Sequence, residues 1–120
     1  MKKFLCTVGL MFFVSTYLFA QIQIQSGTFS YSAAESKAYS LHANEGKRLV
    51  EYEIKFEKPF NRKPKVVIST TMLDAVKSGQ LHYSIRATNI SREGFVLVAE
   101  VWGDTQLNAI GGNWLAHTEE

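Results

Sequence analysis

Hydrophobic and polar residues alternate with a period of two through most of the chain beyond the first twenty residues. Near the start, Ile22 and Ile24 alternate with glutamines. Successive side chains of a β-strand point to opposite faces, so this spacing predicts half-buried strands. The longer apolar series are Val50, Tyr52, Ile54 and Phe56; Leu81, Tyr83, Ile85 and Ala87; and Phe95, Leu97, Ala99 and Val101.

Turn residues separate these series. Pro59 and Pro64 bracket a loop, after which Val66-Val67-Ile68 begins a more deeply buried strand. Further turn signals fall at residues 77–80, 91–94 and 103–104, and Asn44-Glu45-Gly46 marks a turn within the weakly patterned segment 32–47. About six short strands, with no convincing helical periodicity outside the leader, predict an all-β, antiparallel β-sandwich.

One segment combines a strand, a turn and an aromatic residue. The chain from Gly94 reads as a strand that ends at Trp102, followed by a tight Gly103-Asp104 turn and a returning strand that contains Trp114. This pattern predicts a β-hairpin. We assign Trp114 to the core, whereas a Trp beside a turn is placed to meet a ligand, such as the apolar face of a sugar ring.

The turn at residues 91–94 predicts a register for the strands on either side of it. Antiparallel pairing sets Ile85 near Ala99, and the apolar residues of both strands then share the core face. In that register His82 lies beside Trp102 on the opposite, polar face. Arg86 and Glu100 share this face and are expected to form a cross-strand ion pair.

The first twenty residues have the features of a secretory signal peptide. Lys2 and Lys3 precede a short apolar run that ends at Ala20, before a polar stretch. We expect residues 1–20 to be removed after Ala20 and the protein to be secreted, either extracellular or periplasmic. The alternative is an uncleaved N-terminal anchor. Cys6, the single cysteine, lies in this leader, so the mature chain forms no disulfide.

The mature chain, residues 21–120, is expected to be one nearly neutral domain. Without Lys2 and Lys3, basic and acidic residues are equal in number. The overall charge therefore gives no support to a nucleic-acid partner, an anionic membrane surface or membrane insertion. His42 and His117 have no partners at metal-ligand spacing, so we predict neither a metal nor another cofactor.

From Phe56 to Ala116 the sequence resembles the H-type lectin domain, the module of the discoidins and of agglutinins that bind N-acetylgalactosamine (GalNAc). The resemblance implies a six-stranded antiparallel β-sandwich that assembles as a homotrimer. The residues that carry it, in order, are Phe56-x-x-Pro59, Pro64-x-Val66-Val67, Leu73-Asp74, Gly94-Phe95, Trp102-x-x-Thr105 and Trp114, and the start Gln25-Ser26-Gly27 also fits.

The resemblance also implies a sugar site in the cleft between neighbouring subunits. The aromatic position of that site falls on Trp102. The acidic position falls on Glu45, after Asn44, where the family often has Asp, and the basic position falls on His82, where the best-known agglutinins have Arg. Gly103 and Asn108 would flank an N-acetyl group, and both are smaller than the residues of the tight GalNAc binders.

The chemistry of such a site follows from its residue types. A carboxylate accepts hydrogen bonds from vicinal hydroxyls, and an aromatic face covers the C–H surface of the sugar. His in place of Arg removes a fork of donors and makes the contact depend on pH. We therefore expect weak binding of galactose- or GalNAc-like glycans by each site, strengthened by avidity across the trimer.

Two other functions compete with that of a lectin. A structural or protein-binding module could keep this fold without binding sugar. An enzyme is not expected, because the sequence has no cysteine nucleophile, no Gly-x-Ser-x-Gly motif and no carboxylate pair with a known separation.

Overall fold

The structure, a computed structural model, describes residues 22–76 and 80–119. The predicted signal peptide, its cleavage site, Cys6 and most of the predicted turn at residues 77–80 lie outside this range. Within it the chain forms six strands and no helix. The strands are β1 (Ile24–Ser32), β2 (Arg48–Lys55), β3 (Lys65–Ala75), β4 (Tyr83–Thr88), β5 (Gly94–Val101) and β6 (Leu107–His117).

The strands form two three-stranded sheets that pack face to face. The β6 sheet has the order β1-β6-β3, and the β5 sheet has the order β2-β5-β4. Every pairing is antiparallel. The predicted six-stranded antiparallel β-sandwich is therefore confirmed. No helix long and apolar enough to span a bilayer occurs in residues 22–76 or 80–119.

The alternating pattern places the core between the sheets, where it divides into two clusters. Both sheets and both clusters belong to residues 22–119, so the chain from Gln21 onward contains the whole sandwich. One cluster consists of Phe29, Phe56, Phe60, Phe95, Leu97, Trp114 and Ala116. The other, at the opposite end of β5, consists of Tyr39, Leu41, Val50, Ala99, Val101, Leu107 and Ile110.

The segment between β1 and β2 closes the second end of the sandwich. Its Tyr39 and Leu41 are buried, although the flanking residues are small or polar. The Tyr39 hydroxyl donates a 2.6 Å hydrogen bond to the Leu107 carbonyl, and burial raises the pKa of this phenol. The Leu107 N–H in turn donates to the Leu41 carbonyl. These contacts fix the segment against the start of β6.

The prediction of a hairpin at Gly103-Asp104 was wrong. β5 is the central strand of its sheet, and β2 and β4 already occupy both of its hydrogen-bonding edges. β6 instead pairs with β1 and β3 in the other sheet. Residues 102–106 therefore carry the chain from one sheet to the other, and the two tryptophans on either side of this connection belong to different sheets.

Three burial predictions also need correction. Ile22 and Ile24 are exposed, because the inward positions of β1 are those of Phe29 and Tyr31, and Ile24 lies on the opposite face. Leu81 is exposed and does not face the core, because β4 begins at Tyr83 and the strand alternation does not reach residue 81. Val67 is 56% exposed. In β3, Val66 and Ile68 turn toward the first core cluster and Leu73 toward the second, whereas Val67 points to the outer face of the β6 sheet.

Candidate functional site

The predicted register of β4 and β5 is confirmed. Ile85 lies opposite Ala99 and Ser84 opposite Glu100. Just beyond the paired residues, the Trp102 N–H donates a 3.3 Å hydrogen bond to the His82 carbonyl. The two rings are 5.7 Å apart between centroids, with an angle of 32° between their planes. The start of β4 and the end of β5 therefore bring the His82 imidazole and the Trp102 indole side by side.

The two tryptophans have different environments. Trp114 is 8% exposed and packs against Phe56 and Phe95 in the core, as predicted. Trp102 is 42% exposed. An indole face open to solvent next to a polar ring is the arrangement that can cover the C–H surface of a sugar.

Thr105 holds the two aromatic residues in place through hydrogen bonds to their backbone. Its buried hydroxyl accepts a 2.9 Å hydrogen bond from the His82 N–H and donates to the Gln80 carbonyl at 3.3 Å. Its own N–H donates to the Trp102 carbonyl at 3.4 Å. A single side chain therefore links the segment before β4 to the connection after β5, which explains a threonine three residues after the tryptophan.

The turn at residues 44–46 lies against the same connection. Asn44 and Gly46 have φ values of 67° and 85°, which asparagine and glycine tolerate better than other residues. The Gly46 N–H donates to the Gly103 carbonyl at 2.8 Å, and the Gln106 side-chain amide donates to the Asn44 carbonyl at 3.1 Å. Glu45, exposed at the tip of this turn, is thereby brought to the end of the sandwich that carries Trp102.

Arg48 joins the two turns, although the sequence pattern did not single it out. Its guanidinium donates to four backbone carbonyls, at 2.6–3.3 Å. Two of these lie in or next to the first turn and two lie in the connection between the sheets. The signal was present in the sequence, because Arg48 occupies the inward-facing position of the series that continues with Val50 and Tyr52. The carbonyls to which it donates belong to Ala43, Gly46, Gly103 and Thr105.

Gly103 and Asn108, the predicted neighbours of an N-acetyl group, are placed differently. Gly103 has a φ of 67°, and a Cβ atom there would lie 3.5 Å from Cδ2 of His82. It is therefore part of the group around Trp102. Asn108 is exposed at the start of β6, and its carbonyl accepts a hydrogen bond from the Ala33 N–H. Among the described residues, no hydrogen bond joins the Asn108 side chain to that group.

A charged cluster fixes the β5 sheet next to Trp102. The Glu100 carboxylate lies 3.3 Å from the Lys47 ammonium and 3.2 Å from the Arg86 guanidinium, so the predicted Arg86–Glu100 ion pair is confirmed. Burial raises the pKa of this carboxyl, but the two cations outweigh that effect and hold the pKa below its ordinary value. Glu100 shares the outer face with Trp102, two residues further along the chain.

One end of the sandwich thus brings together Trp102, His82, Gly103 and the Asn44-Glu45 turn, and we call it the Trp102 end. Hydrogen bonds of Thr105 and Arg48 hold these elements together. Within residues 22–76 and 80–119, no three His, Cys, Asp or Glu side chains gather as they would around a metal ion.

Comparison with known proteins identifies the family. The model of the H-type lectin domain matches residues 51–117, which is more than half of the chain. The chain belongs to the H-type lectin domain family, and the resemblance inferred from the sequence is confirmed. It therefore has a carbohydrate-binding lectin fold, a class of domain that is in general not catalytic.

Individual proteins are also similar to this chain. A recombinant discoidin II of Dictyostelium discoideum is similar with a TM-score of 0.73 and 25% identity, over 82% of this chain and 38% of that protein. An R1-type pyocin tail fibre, at 14% identity and a TM-score of 0.50, shares the fold over 80% of this chain and 70% of that protein. A Fuscovulum blasticum protein, described as ATP synthase subunits region ORF 7, is 34% identical over 71 residues, which are 59% of this chain and 62% of that protein.

Proposed function

We propose that residues 21–120 form a secreted lectin that binds galactose- or GalNAc-like glycans non-covalently at the Trp102 end. The observation that carries this proposal is the exposed Trp102 beside His82, held next to the 44–46 turn by Arg48 and Thr105. In a chain of this family, an exposed tryptophan at a position fixed by partly buried hydrogen bonds points to a ligand surface.

Each residue of the proposed site has a distinct role. The Trp102 indole covers the C–H face of the sugar, and an imidazole nitrogen of His82 forms a hydrogen bond with a hydroxyl group of the sugar. The Glu45 carboxylate accepts hydrogen bonds from two vicinal hydroxyls, while the Asn44 turn sets its position. Gly103 leaves open the space beside His82 where an N-acetyl group would enter. Asn108 enters the proposal on the family resemblance alone.

The proposal includes a homotrimer. One protomer presents the Trp102 end as an open surface, and a shallow site of this kind buries too little of a sugar to bind it tightly. A neighbouring subunit would add a second wall. Three such sites on one assembly would then bind a densely glycosylated surface much more tightly than a free sugar, as cell adhesion requires.

Substitution of Trp102 tests the proposed site. We expect Trp102→Ala to weaken binding to immobilised GalNAc or galactose by at least about thirty-fold, because truncated aromatic hot spots cost about 2 kcal/mol or more. Trp102→Phe should keep part of the binding. Leu115→Ala, an equally exposed residue on the other sheet, is the matched control and should bind as the parent does. Unchanged binding by Trp102→Ala, in a folded protein, would remove Trp102 from the site.

A protein-binding module without sugar affinity is the second candidate. Two departures favour it, namely Glu45 where the family often has Asp, and His82 where the best-known agglutinins have Arg. A glycan array with the purified chain from Gln21 onward separates the two functions. Binding to terminal galactose or GalNAc, inhibited by millimolar free sugar, supports the lectin. The absence of any glycan signal supports the module.

A further inference from the structure

The end of the sandwich opposite Trp102 carries an uneven distribution of charge. Residues 55–65, which we call the basic loop, contain five lysines or arginines and one acidic residue, Glu57. All five cationic side chains are exposed. They are Lys55, Lys58, Arg62, Lys63 and Lys65. Residues 21–120 contain eleven basic and eleven acidic residues, so this short run holds five of the eleven basic residues.

The basic loop is held rigidly in place. Phe56, Phe60 and Pro64 are buried and fix it to the core. The Phe60 N–H donates to the Arg92 carbonyl at 2.9 Å, and the Arg92 side chain donates to the Phe60 carbonyl at 2.8 Å. The Gln25 side-chain amide accepts a hydrogen bond from the Glu57 N–H and donates one to the Lys58 carbonyl. The exposed cations between these anchors therefore stand on a fixed backbone.

An apolar strip lies directly beside the basic loop, on the outer face of the β6 sheet. Val67 lies next to Leu115 in the register, and Ile24 and Lys65 both flank His117. Ile24 is 64% exposed and also lines a shallow groove with Lys58. The strip consists of Ile22, Ile24, Val67 and Leu115, all exposed.

We propose that the basic loop and the apolar strip together form a docking surface for an anionic lipid bilayer. Cations near an anionic leaflet are each attracted by about 1 kcal/mol, and exposed aliphatic side chains enter the headgroup boundary. The aliphatic strip decides between occupants, because a water-soluble polyanion would engage the lysines and leave it exposed. The acidic groups at this surface are Glu57, the Glu119 that pairs with Lys65, and Glu53 and Glu93, which line a groove with Lys55. They reduce its charge without reversing it, because the exposed Arg92 beside the loop adds a sixth cation.

The docking surface and the Trp102 end lie at opposite ends of the sandwich. β5 has eight residues and joins the two ends, which are therefore roughly 25 Å apart. A chain held to a bilayer by the basic loop would present the Trp102 end away from the membrane. Membrane docking does not depend on sugar binding, since none of the residues of the Trp102 end belongs to the docking surface.

Vesicle binding by the chain from Gln21 onward tests the proposal. The probes are vesicles of phosphatidylcholine alone and of phosphatidylcholine with phosphatidylglycerol, compared by co-sedimentation at low and physiological salt. We expect binding to the anionic vesicles only, and weaker binding at higher salt. Each of Lys58→Gln, Arg62→Gln and Lys63→Gln should weaken it about five-fold, and the triple variant about one hundred-fold.

Control variants distinguish the docking surface from binding elsewhere on the chain. Lys37→Gln removes an exposed cation far from the basic loop in sequence and should bind like the parent. Ile24→Gln should weaken binding although no charge is lost, and Trp102→Ala should leave it unchanged. Equal binding to both vesicle types, or parent-like binding by the triple variant, would overturn the proposal. Binding to dextran sulfate without binding to vesicles would also overturn it. A change in oligomeric state with Ile24→Gln would overturn it too, because it would assign the apolar strip to contact with a second copy of the chain.

Discussion

At the scale of single residues, the two tryptophans have different roles because their strands place them in different surroundings. Trp114 points inward between the sheets, where aromatic rings surround it, and Trp102 continues the outward positions of β5 just beyond its end. The assignment of Trp114 to the core is confirmed, and the period-two pattern predicted the outward position of Trp102. It could not predict that Gly27 lies directly over the Trp114 ring, because residues 27 and 114 meet only through the pairing of β1 with β6.

This close approach makes Gly27 intolerant of a side chain. A Cβ atom at residue 27 would lie 2.7 Å from three atoms of the Trp114 ring. We expect Gly27→Ala to lower the free energy of unfolding by about 1–3 kcal/mol, as overpacking of a well-filled core does. Urea unfolding followed by tryptophan fluorescence measures it. The neighbouring Ser26→Ala, on the exposed face, should change it by less than about 0.5 kcal/mol, and equal effects of both substitutions would show that the clash with Trp114 is not the cause.

Glu100 gives a prediction about pH. Lys47 and Arg86 hold its pKa in the folded protein below the ordinary carboxyl value, although burial acts in the opposite direction. Its contribution to stability is therefore complete above the ordinary carboxyl pKa and is lost as the pH falls through the lowered pKa. We expect Glu100→Gln to be less stable than the parent at neutral pH, and the difference to disappear on acidification. Urea unfolding at a series of pH values measures it, and a difference that stays constant with pH would assign the effect to packing.

At the scale of elements, the Trp102 end is built from two turns that lie far apart in the sequence. The 44–46 turn and the 102–106 connection meet through backbone hydrogen bonds and through the guanidinium of Arg48. The sequence identified both turns and the residues at their tips. It did not indicate that they touch, because β5 continues into the opposite sheet and not into a hairpin with β6.

Removal of Arg48 should therefore affect a site that it does not line. Arg48→Met removes the side-chain donor of four carbonyls, of which, within the described part of the chain, only that of Gly103 keeps a second donor, the Gly46 N–H. We expect a loss of about 1–3 kcal/mol in stability together with at least ten-fold weaker glycan binding. Arg48→Lys should restore part of both, since an ammonium can reach only some of these acceptors. The exposed Arg62→Met is the control. Normal glycan binding by a folded Arg48→Met protein would show that the two turns do not depend on this side chain.

At the scale of the whole molecule, the sandwich separates two surfaces. The Trp102 end carries the proposed sugar site, and the opposite end carries the basic loop and the apolar strip. Residues 21–120 hold equal numbers of acidic and basic residues, so their net charge alone does not indicate this arrangement. Because each end packs on its own core cluster, a substitution at one end should leave binding at the other unchanged.

The proposed trimer makes a prediction at this scale. We expect sedimentation equilibrium to give three times the mass of the mature chain. Binding to a surface densely coated with galactose should be about one hundred-fold or more tighter than binding to free galactose measured by calorimetry. A monomeric protein with equal affinity for both would contradict a multivalent lectin.

The sequence by itself determined the class of fold, the inner faces of β2, β4 and β5, the β4–β5 register and the family. These properties follow from local alternation and from ordered motifs, which need no knowledge of distant contacts. The tertiary structure alone decided which strands share a sheet, how Arg48 joins two distant turns, and that the basic loop lies beside the apolar strip. They depend on which edges of β5 are already paired and on residues that approach only after the sheets have packed, so no local pattern encodes them.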